Sequence, residues 1–408
     1  MITIDGSSDP EAQDILSALF GRLGDAIRQQ ESRFIFDFGS AHFFWDLPVC
    51  IPGHVARTLV EIKKTEPWKM DEGDYSDKPW MKLEDAVAYM LEKETTLNYG
   101  NFNRYVRNKR TRETISELFD HVTRTTGKPV VMPLPNWRFW KMDDCCNGHD
   151  FEFYDAVDER QLVEGFERVA KRKRVGGLIL VNPTNPLLQD ISEKACRAID
   201  AIAVKYGVSI IVDEIMRGNR PLGDRDSIGR FFTAPYIVEG MSKRFGDRTV
   251  LEETSYVLAP KGVKLDPVHE PRNHFRYFAG TFLKAAMDYA SEDALDELSA
   301  RNRAFDLGIS KTCPAIKLFR PFNSCLVTLL TLPQEMKMSA YRFGKMLARN
   351  CSIDTTPFDS FYPDKRAKDS SILNKLRITV GRSVIESIRD GSRILGEYAA
   401  DKIKEANR

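Results

Sequence analysis

The chain has 408 residues, of which 42% are hydrophobic and 29% charged, proportions typical of a globular protein. Its 60 basic and 59 acidic residues give a net charge of +1, which gives no reason to expect a nucleic-acid or polyanion partner. Since a chain of this length exceeds the usual size of one hydrophobic core, the sequence predicts two linked lobes.

Cysteine and histidine spacing gives no sign of a metal site. The seven cysteines are scattered without a C-x-x-C pair, and the six histidines show no zinc-ligand spacing. The N-terminus has no basic segment followed by an apolar core, and no apolar run approaches membrane-spanning length. These features predict a soluble cytoplasmic protein with free thiols and no bound metal.

The middle of the chain alternates short apolar runs with amphipathic stretches. In chain order the pattern predicts a strand at 128–135, a helix at 158–174, a strand at 176–183, a helix at 190–207, and strands at 208–215, 235–240 and 254–262. We expect the second helix to be opened by Asp190 and closed by Gly207. Apolar strands that alternate with helices predict an α/β fold, with a largely parallel sheet covered on both faces.

The last quarter of the chain has a different character. A long helical stretch is followed by strands within 322–333 and 373–381, with helices between and after them. This order predicts a smaller α+β lobe. We expect residues 1–60 to be an N-terminal segment that contributes to the small domain, residues 61–300 to form the large domain, and residues 301–408 to form the small C-terminal domain.

Polar residues follow three neighbouring predicted strands. Asn185 lies in "NPTNP", Asp213 ends "SIIVD", and Lys243 in "MSKRFG" follows the apolar run "PYIVEG". In such sheets ligands lie beyond the carboxyl ends of the strands. Pyridoxal 5'-phosphate needs a lysine for a Schiff base and a carboxylate that keeps its pyridine nitrogen protonated. Taken singly, each residue is more often a turn, a cap or a solvated charge, but their joint order favours this cofactor.

With these motifs the sequence resembles the class I and II aminotransferases, a family of fold-type I pyridoxal-phosphate enzymes, in motif order over roughly residues 95–390. The resemblance implies a large domain with a mostly parallel seven-stranded sheet between helices, and a smaller α+β C-terminal domain. It also implies that Asn185 bonds the ring hydroxyl, that Asp213 bonds the pyridine nitrogen, and that Lys243 forms the Schiff base.

Weaker motifs extend the implied cofactor site. "PLPNWRFW" resembles a stretch whose aromatic residue stacks on the ring, which implicates Trp137, although a core tryptophan is an equally common reading. "KRTRETISELF" resembles the phosphate-holding helix start, so Thr111 and Arg112 would offer backbone amides, while Arg110 stands where the family prefers glycine. "NYG" resembles the motif whose tyrosine reaches the partner subunit's phosphate, which implicates Tyr99.

The predicted small lobe supplies the candidate substrate residues. "NKLRITVG" resembles the strand whose arginine grips the substrate α-carboxylate, a contact suited to a planar guanidinium, which implicates Arg377. A surface salt bridge is the alternative role for this residue. We expect "DFGSAHFFW" to supply the loop that closes over substrate, so Gly39 and Asn185 are further substrate-binding candidates. The resemblance also implies a homodimer with a shared active site.

Three positions depart from the family pattern. Met216 stands where a tyrosine usually bonds the ring oxygen, Gly240 where a serine usually binds phosphate, and Leu251 where an arginine usually completes the phosphate site. Ser242 is the nearest remaining hydroxyl to Gly240. Arg248 is the first substitute for the arginine, and the other two candidates are Arg244 and Arg217.

The resemblance predicts transamination of an L-amino acid, with Schiff base exchange, α-proton abstraction by Lys243 and release of a 2-oxo acid. Because Met216 removes one hydrogen bond to the ring oxygen, elimination, replacement or cyclisation of a modified amino acid is the alternative. A catalytically inactive regulator is disfavoured, since such a protein does not need the whole set of site residues. If Arg217 and Arg220 face the pocket, they favour a substrate with an acidic or polar side chain.

Overall fold

The computed structural model describes residues 4–5, 36–37, 51–52, 58, 80–136, 151–172, 175–245, 251, 253–266, 273–289, 291–362, 373–381, 383 and 385–408. Strands and helices are numbered in chain order over the described residues. Three of the predicted site residues, Trp137, Arg248 and Gly39, lie outside them, and their roles stay predictions.

The strands fall into one large sheet, one smaller sheet and two short pairings. In chain order they are β1 (Ile4–Asp5), β2 (Phe36–Asp37), β3 (Ile51–Pro52), β4 (Phe102–Arg107), β5 (Val130–Leu134), β6 (Phe151–Asp155), β7 (Gly177–Val181), β8 (Ser209–Asp213), β9 (Tyr236–Gly240), β10 (Ser255–Pro260), β11 (Lys317–Phe319), β12 (Val327–Thr331), β13 (Ile353–Asp354), β14 (Thr356–Pro357) and β15 (Lys375–Thr379).

The helices cover the faces of the two larger sheets. They are α1 (Leu83–Glu94), α2 (Thr111–Thr126), α3 (Glu159–Lys171), α4 (Glu193–Tyr206), α5 (Ser242–Phe245), α6 (Asn273–Tyr289), α7 (Ser291–Thr312), α8 (Ala340–Cys351) and α9 (Ile385–Ala406). Within the described residues, none of them combines the length and the apolar character that crossing a membrane requires.

The large sheet has seven strands in the order β4-β10-β9-β8-β7-β5-β6. Its strands β9, β8, β7, β5 and β6 are mutually parallel, whereas β10 runs antiparallel to both β9 and β4. The mostly parallel α/β architecture predicted from the sequence is therefore confirmed. Five strands end at one edge of this sheet, and β4, which runs parallel to β9, ends there as well.

Burial on both faces explains why the sequences of the central strands are continuous apolar runs. Every residue of β7 and β9 is buried. Helix α2 packs on one face, in a cluster with Ile179, Ile211 and Val238, while α3, α4 and α6 contribute to the large core on the other face. A parallel strand that is covered twice has no polar face, and hence no alternation in its sequence.

The second sheet is antiparallel, in the order β11-β12-β15-β14. Helices α7, α8 and α9 pack against it around a separate core that contains Phe305, Phe343 and Leu376. Near the N-terminus, β2 pairs in parallel with β13, which immediately precedes this sheet's strand β14, and β1 pairs with β3. The α+β character of the C-terminal part follows the prediction, while the exact domain boundaries stay predictions.

Helix caps correct one detail of the sequence analysis. Helix α4 begins after Ser192, whose hydroxyl oxygen accepts the backbone N–H of Ala195 at 3.3 Å. Asp190, which was expected to open the helix, instead forms an ion pair with Arg220. The predicted end is correct, because Gly207 caps the helix in the left-handed conformation, with φ at 65°.

We expect Gly280→Ala to destabilise the fold. A Cβ at Gly280, in α6, would lie 2.3 Å from the backbone oxygen of Met81 and 2.6 Å from the backbone nitrogen of Leu83, at the start of α1. Because backbone cannot rotate away, the overpacking should cost about 1–3 kcal/mol, measured by urea unfolding. Gly223→Ala is the matched control, since a Cβ there meets nothing within 4 Å. Equal unfolding free energies for the two variants would contradict this packing.

Candidate active site

The residues predicted from the sequence follow adjacent strands at one edge of the large sheet. Asp213 is the last residue of β8 and pairs in register with Val181 of β7 and Val238 of β9. Lys243 lies in α5, three residues beyond the end of β9. The parallel order of these strands brings their carboxyl ends together, where open α/β sheets bind ligands.

Asp213 holds a carboxylate that the protein solvates poorly. The residue is 5% exposed, and within the described part of the chain its hydrogen-bond donor is the backbone N–H of Ile215, at 3.0 Å. Burial raises the pKa of Asp213 to about 7; the Ile215 hydrogen bond opposes this rise and the nearby charge of Glu239 adds to it. A cation or an N–H group placed against this carboxylate would replace the missing solvation and lower its pKa again.

The loop after β7 places two asparagines in different roles. Asn182 is buried, and its side-chain oxygen accepts the backbone N–H of Ile191 at 3.0 Å, so it holds the loop closed. Asn185 is only partly buried. Its side-chain oxygen accepts a long hydrogen bond, 3.4 Å, from Nη1 of Arg377. The loop therefore carries one structural asparagine and one that faces the second sheet.

Arg377 lies on β15, next to β12 in the second sheet. It is 5% exposed, and its guanidinium carbon is 5.0 Å from the ring centroid of Phe361. Stacking on an aromatic ring fixes the plane of the guanidinium. The structure thus brings Arg377 and Asn185 together from the two sheets, as the candidate substrate residues require.

Thr111 meets the end of β9 at Gly240. A Cβ built on Gly240 would lie 1.7 Å from the Thr111 hydroxyl oxygen. Thr111 is the first residue of α2 and is 5% exposed. Its hydroxyl group therefore occupies the space that the family's usual serine at position 240 would need. Glycine at this position is a packing consequence of threonine at position 111.

The backbone amides at the start of α2 fit the predicted phosphate role. Those of Glu113 and Thr114 donate to the Arg110 carbonyl at 3.0 and 3.2 Å, so the amides of Thr111 and Arg112 form the outermost turn. The Glu113 carboxylate accepts the Arg110 N–H at 3.2 Å, which fixes the entry into the helix. Since β4 ends at the same edge as β9, this helix start lies at the edge that carries Lys243.

The other two departures from the family pattern are apolar and buried. Met216 is 7% exposed and Leu251 is fully buried, and both belong to the large hydrophobic core. Apolar side chains thus occupy positions where the family usually has a tyrosine hydroxyl and an arginine. Neither side chain can donate a hydrogen bond to a ligand.

Two arginines considered for the phosphate are engaged elsewhere. Arg244 donates to Glu94 at 2.5 Å and to Glu239 at 2.7 Å, and Arg217 is ion-paired with Glu239. Arg217 is 2% exposed and Arg244 3% exposed. The hypothesis that these side chains face phosphate or substrate is therefore wrong, because both guanidinium groups are ion-paired with buried carboxylates. Arg220, the other candidate for the substrate side chain, pairs with Asp190.

These contacts belong to a buried ion-pair cluster, made of Glu94, Glu214, Arg217, Arg225, Glu239, Arg244 and Tyr256. Burial alone would raise the pKa of Glu239, but the Arg217 and Arg244 guanidiniums, with the Tyr256 hydroxyl, lower it to about 2. Burial raises the pKa of Glu214 to about 7 against the opposing charge of Arg217. The cluster borders Lys243 directly, because Arg244 is the next residue.

Tyr99 lies away from the other candidates within its own chain. It occupies a short 3-10 helix, Tyr99–Asn101, that immediately precedes β4. Because β4 runs parallel to β9, its beginning lies at the opposite edge of the sheet from Lys243. Its predicted contact with a partner subunit stays a prediction. Ser242, in contrast, lies beside Lys243 in α5 and is partly buried.

Sequence reasoning missed Asn219, whose side-chain amide donates to the Lys243 carbonyl at 2.6 Å. It also missed Glu239, although a lone glutamate within the apolar run "PYIVEG" is a usable signal. A charge in a strand buried on both faces requires a buried partner. The partners, Arg217 and Arg244, were visible in the sequence but had been assigned to a ligand.

Comparison with known proteins agrees with the fold. Residues 111–247 match the family model described as aminotransferase class I and II. The fold is similar to an archaeal alanine:glyoxylate aminotransferase, with 18% identity, a TM-score of 0.67, and coverage of 98% of this chain and 96% of that one. The sequence matches no curated protein.

Two further solved structures extend the comparison. A multiple substrate aminotransferase from Thermococcus profundus is 15% identical, with a TM-score of 0.66 and coverage of 98% and 97% of the two chains. The PLP-bound C-S lyase from Staphylococcus hominis is 12% identical, with a TM-score of 0.68 and coverage of 93% and 96%. At these identities the likeness concerns the fold alone.

The chain has the fold of the fold-type I pyridoxal-phosphate enzymes, with a large mixed sheet flanked by helices. Over residues 111–247, about a third of its length, the chain is also similar in sequence to the class I and II aminotransferases.

We expect Asp213→Asn to stabilise the cofactor-free protein at neutral pH. Raising the pKa of a carboxyl from 3.8 to about 7 costs the folded, ionised protein up to about 4 kcal/mol. The unfolded chain ionises first as the pH rises, so the advantage of the variant should be absent near pH 4 and grow up to about pH 7. Urea unfolding across this range measures it.

Asp266→Asn, at an exposed carboxylate, is the control and should show no comparable growth with pH. An advantage of Asp213→Asn that is equal at all pH values would mean that the buried carboxylate does not titrate as described.

We expect Gly240→Ser to destabilise the chain by about 1–3 kcal/mol, since the new side chain overlaps Thr111. In a Thr111→Ala background the same change should cost less, with a coupling on the order of 1 kcal/mol. A double-mutant cycle by urea unfolding measures this coupling. Strictly additive costs would show that the two side chains do not compete for one space.

Proposed function

We propose that the chain is a pyridoxal-phosphate-dependent aminotransferase that acts on an L-amino acid and releases a 2-oxo acid. The observation that carries the proposal is the pair of Asp213 and Lys243 at the ends of the adjacent parallel strands β8 and β9. A poorly solvated carboxylate and a lysine that follow neighbouring strands are the pair of groups that this cofactor requires. Bound pyridoxal phosphate supplies an electron sink for the pair of electrons left at the substrate α-carbon.

The described residues fit the cofactor. The Asp213 carboxylate, with its raised pKa, would be stabilised in its ionised form by the protonated pyridine nitrogen. Asn185 would donate its amide N–H to the ring hydroxyl. The backbone amides of Thr111 and Arg112, with the Ser242 hydroxyl, would hold the phosphate at the start of α2.

Lys243 would hold the cofactor through its Nζ until an amino acid takes its place. Its Nζ would then remove the proton from the substrate α-carbon as general base. Asp213 would meanwhile keep a proton on the ring nitrogen, because its ionised carboxylate attracts that proton. The closed packing around Asp213 would exclude water from the same edge of the sheet.

Arg377 would bind the substrate α-carboxylate. Its Nη1 donates a long hydrogen bond to the neutral side-chain oxygen of Asn185, at 3.4 Å. A substrate carboxylate would replace this weak contact with charge-assisted, bidentate hydrogen bonds. The Phe361 ring beside the guanidinium would keep its plane fixed while the acceptor changes.

Met216 supports a second candidate function, which is elimination, replacement or cyclisation of a modified amino acid. A buried thioether in place of the usual tyrosine cannot bond the ring oxygen. Loss of this hydrogen bond changes how the proton next to the ring oxygen would be held. A homodimer with a shared site and a cytoplasmic location remain parts of the proposal that follow from the family resemblance.

We expect the purified protein with added pyridoxal phosphate to show a visible absorbance band that Lys243→Ala lacks. Lys205→Ala, at an exposed lysine, is the control and should keep the band. Pooled L-amino acids should bleach the band with formation of pyridoxamine phosphate, and a 2-oxo acid should restore it.

Each contrary outcome of this experiment has one meaning. Absence of the band in the unmutated protein would overturn the cofactor assignment. Release of ammonia and a product without pyridoxamine phosphate would overturn transamination in favour of the second candidate.

A further inference from the structure

Two short hydrogen bonds, one buried and one partly buried, connect the second sheet to the backbone of Lys243. The Ser324 hydroxyl donates to the backbone oxygen of Asn219 at 2.7 Å, and the Asn219 side-chain amide donates to the backbone oxygen of Lys243 at 2.6 Å. Ser324 is 4% exposed and Asn219 1% exposed. Ser324 lies three residues before β12, so the connection crosses from one sheet to the other.

We propose that Asn219 is a positioning residue, which couples the location of the second sheet to the location of Lys243. The proposal rests on the proposed function in one respect, namely that Lys243 is the lysine that holds the cofactor. Neither Ser324 nor Asn219 needs to contact substrate or cofactor in this role. They act through the Lys243 carbonyl.

Ser324 lies in a segment that is itself fixed. Asn302 of α7 donates from its side-chain amide to the backbone oxygens of Asn323, at 2.8 Å, and Cys325, at 2.7 Å. Asn302 is 1% exposed. Because both carbonyls that flank Ser324 are held by one buried amide, the serine follows α7 rather than moving independently.

Side-chain contacts anchor helix α5, which covers Ser242–Phe245 within the described residues. The Arg244 side chain anchors one side of it to Glu94 and Glu239. Asn219 anchors the Lys243 carbonyl, so the backbone at the lysine is held by two independent contacts.

The same sheet carries Arg377. Its strand β15 pairs with β12 in register, with Arg377 opposite Leu329. A movement of the second sheet that brings Arg377 onto a substrate carboxylate would therefore also displace Ser324, and with it Asn219 through their short hydrogen bond. Substrate binding and lysine placement would be linked through one rigid unit, with Asn219 at the contact.

The coupling is tested by labelling Lys243 with acetic anhydride in the full chain without added cofactor, followed by mass spectrometry across a pH range. Ser324→Ala should raise the labelling rate of Lys243 about fivefold, the ratio that corresponds to one hydrogen bond of about 1 kcal/mol. It should also shift the pH midpoint of labelling. In an Asn219→Ala background, the Ser324 change should have no further effect.

Two variants separate positioning from general loosening. Ser392→Ala removes a buried hydroxyl that donates to Arg389 in α9, away from Lys243, and should leave the labelling profile unchanged. Ser324→Thr keeps the hydroxyl and should restore the original pH midpoint. The same midpoint shift in Ser392→Ala would overturn the proposal.

The proposal would also be overturned if Ser324→Ala labelled like the unmutated protein, even with Asn219→Ala altered. The labelling readout is independent of the cofactor assignment. A protein that shows the coupling but no visible absorbance with pyridoxal phosphate would retain the positioning role of Asn219 and lose the proposed function. A protein that shows the visible absorbance but no coupling would retain the proposed function and lose the positioning role of Asn219.

Discussion

The arrangement of the large sheet around Lys243 depends on the burial of three carboxylates with three guanidinium groups. Glu239 is the centre of this arrangement, since Arg217, Arg244 and Tyr256 all donate to it. Removing these charges from water carries a large desolvation cost, which only mutual contact at short distance offsets. Removing one member would therefore leave its partners buried without a counter-charge. It fixes α1, β9, α5 and the turn after β8 relative to one another.

Two hydrogen bonds join the large sheet to the second sheet near the candidate active site. Arg377 reaches Asn185, and Ser324 reaches Asn219, each across the gap between the large sheet and the second sheet. The first contact is long and partly buried, as expected of a group that exchanges partners. The second is short and buried, as expected of a fixed support. The interface thus combines one adjustable contact with one fixed contact.

The sequence predicted those features that depend on local pattern and strand order. Apolar runs located β7, β8 and β9, and the residues that follow them identified Asp213 and Lys243. Pattern could not reveal that β10 is antiparallel, since its residues are buried like those of β9. It also gave no expectation of β4 and β6, whose sequences carry charged residues among the aromatic ones.

The roles of the arginines were unpredictable for a related reason. Glu94 lies 150 positions before Arg244, so no local pattern links the two residues. An arginine that neutralises a buried glutamate and one that binds a phosphate look alike in sequence. Only the packing of α1 against the sheet decides between them. Asn219 was missed because it acts through a backbone carbonyl, which has no sequence signature.

The contact between Thr111 and Gly240 also bears on how this chain diverged from its relatives. Threonine at position 111 and serine at position 240 would place two side chains in one volume, because a Cβ at Gly240 falls 1.7 Å from the threonine hydroxyl. Exchanging one arrangement for the other by single substitutions therefore costs least when position 111 becomes smaller before position 240 gains a side chain. Packing thus favours one order of substitution at these two sites.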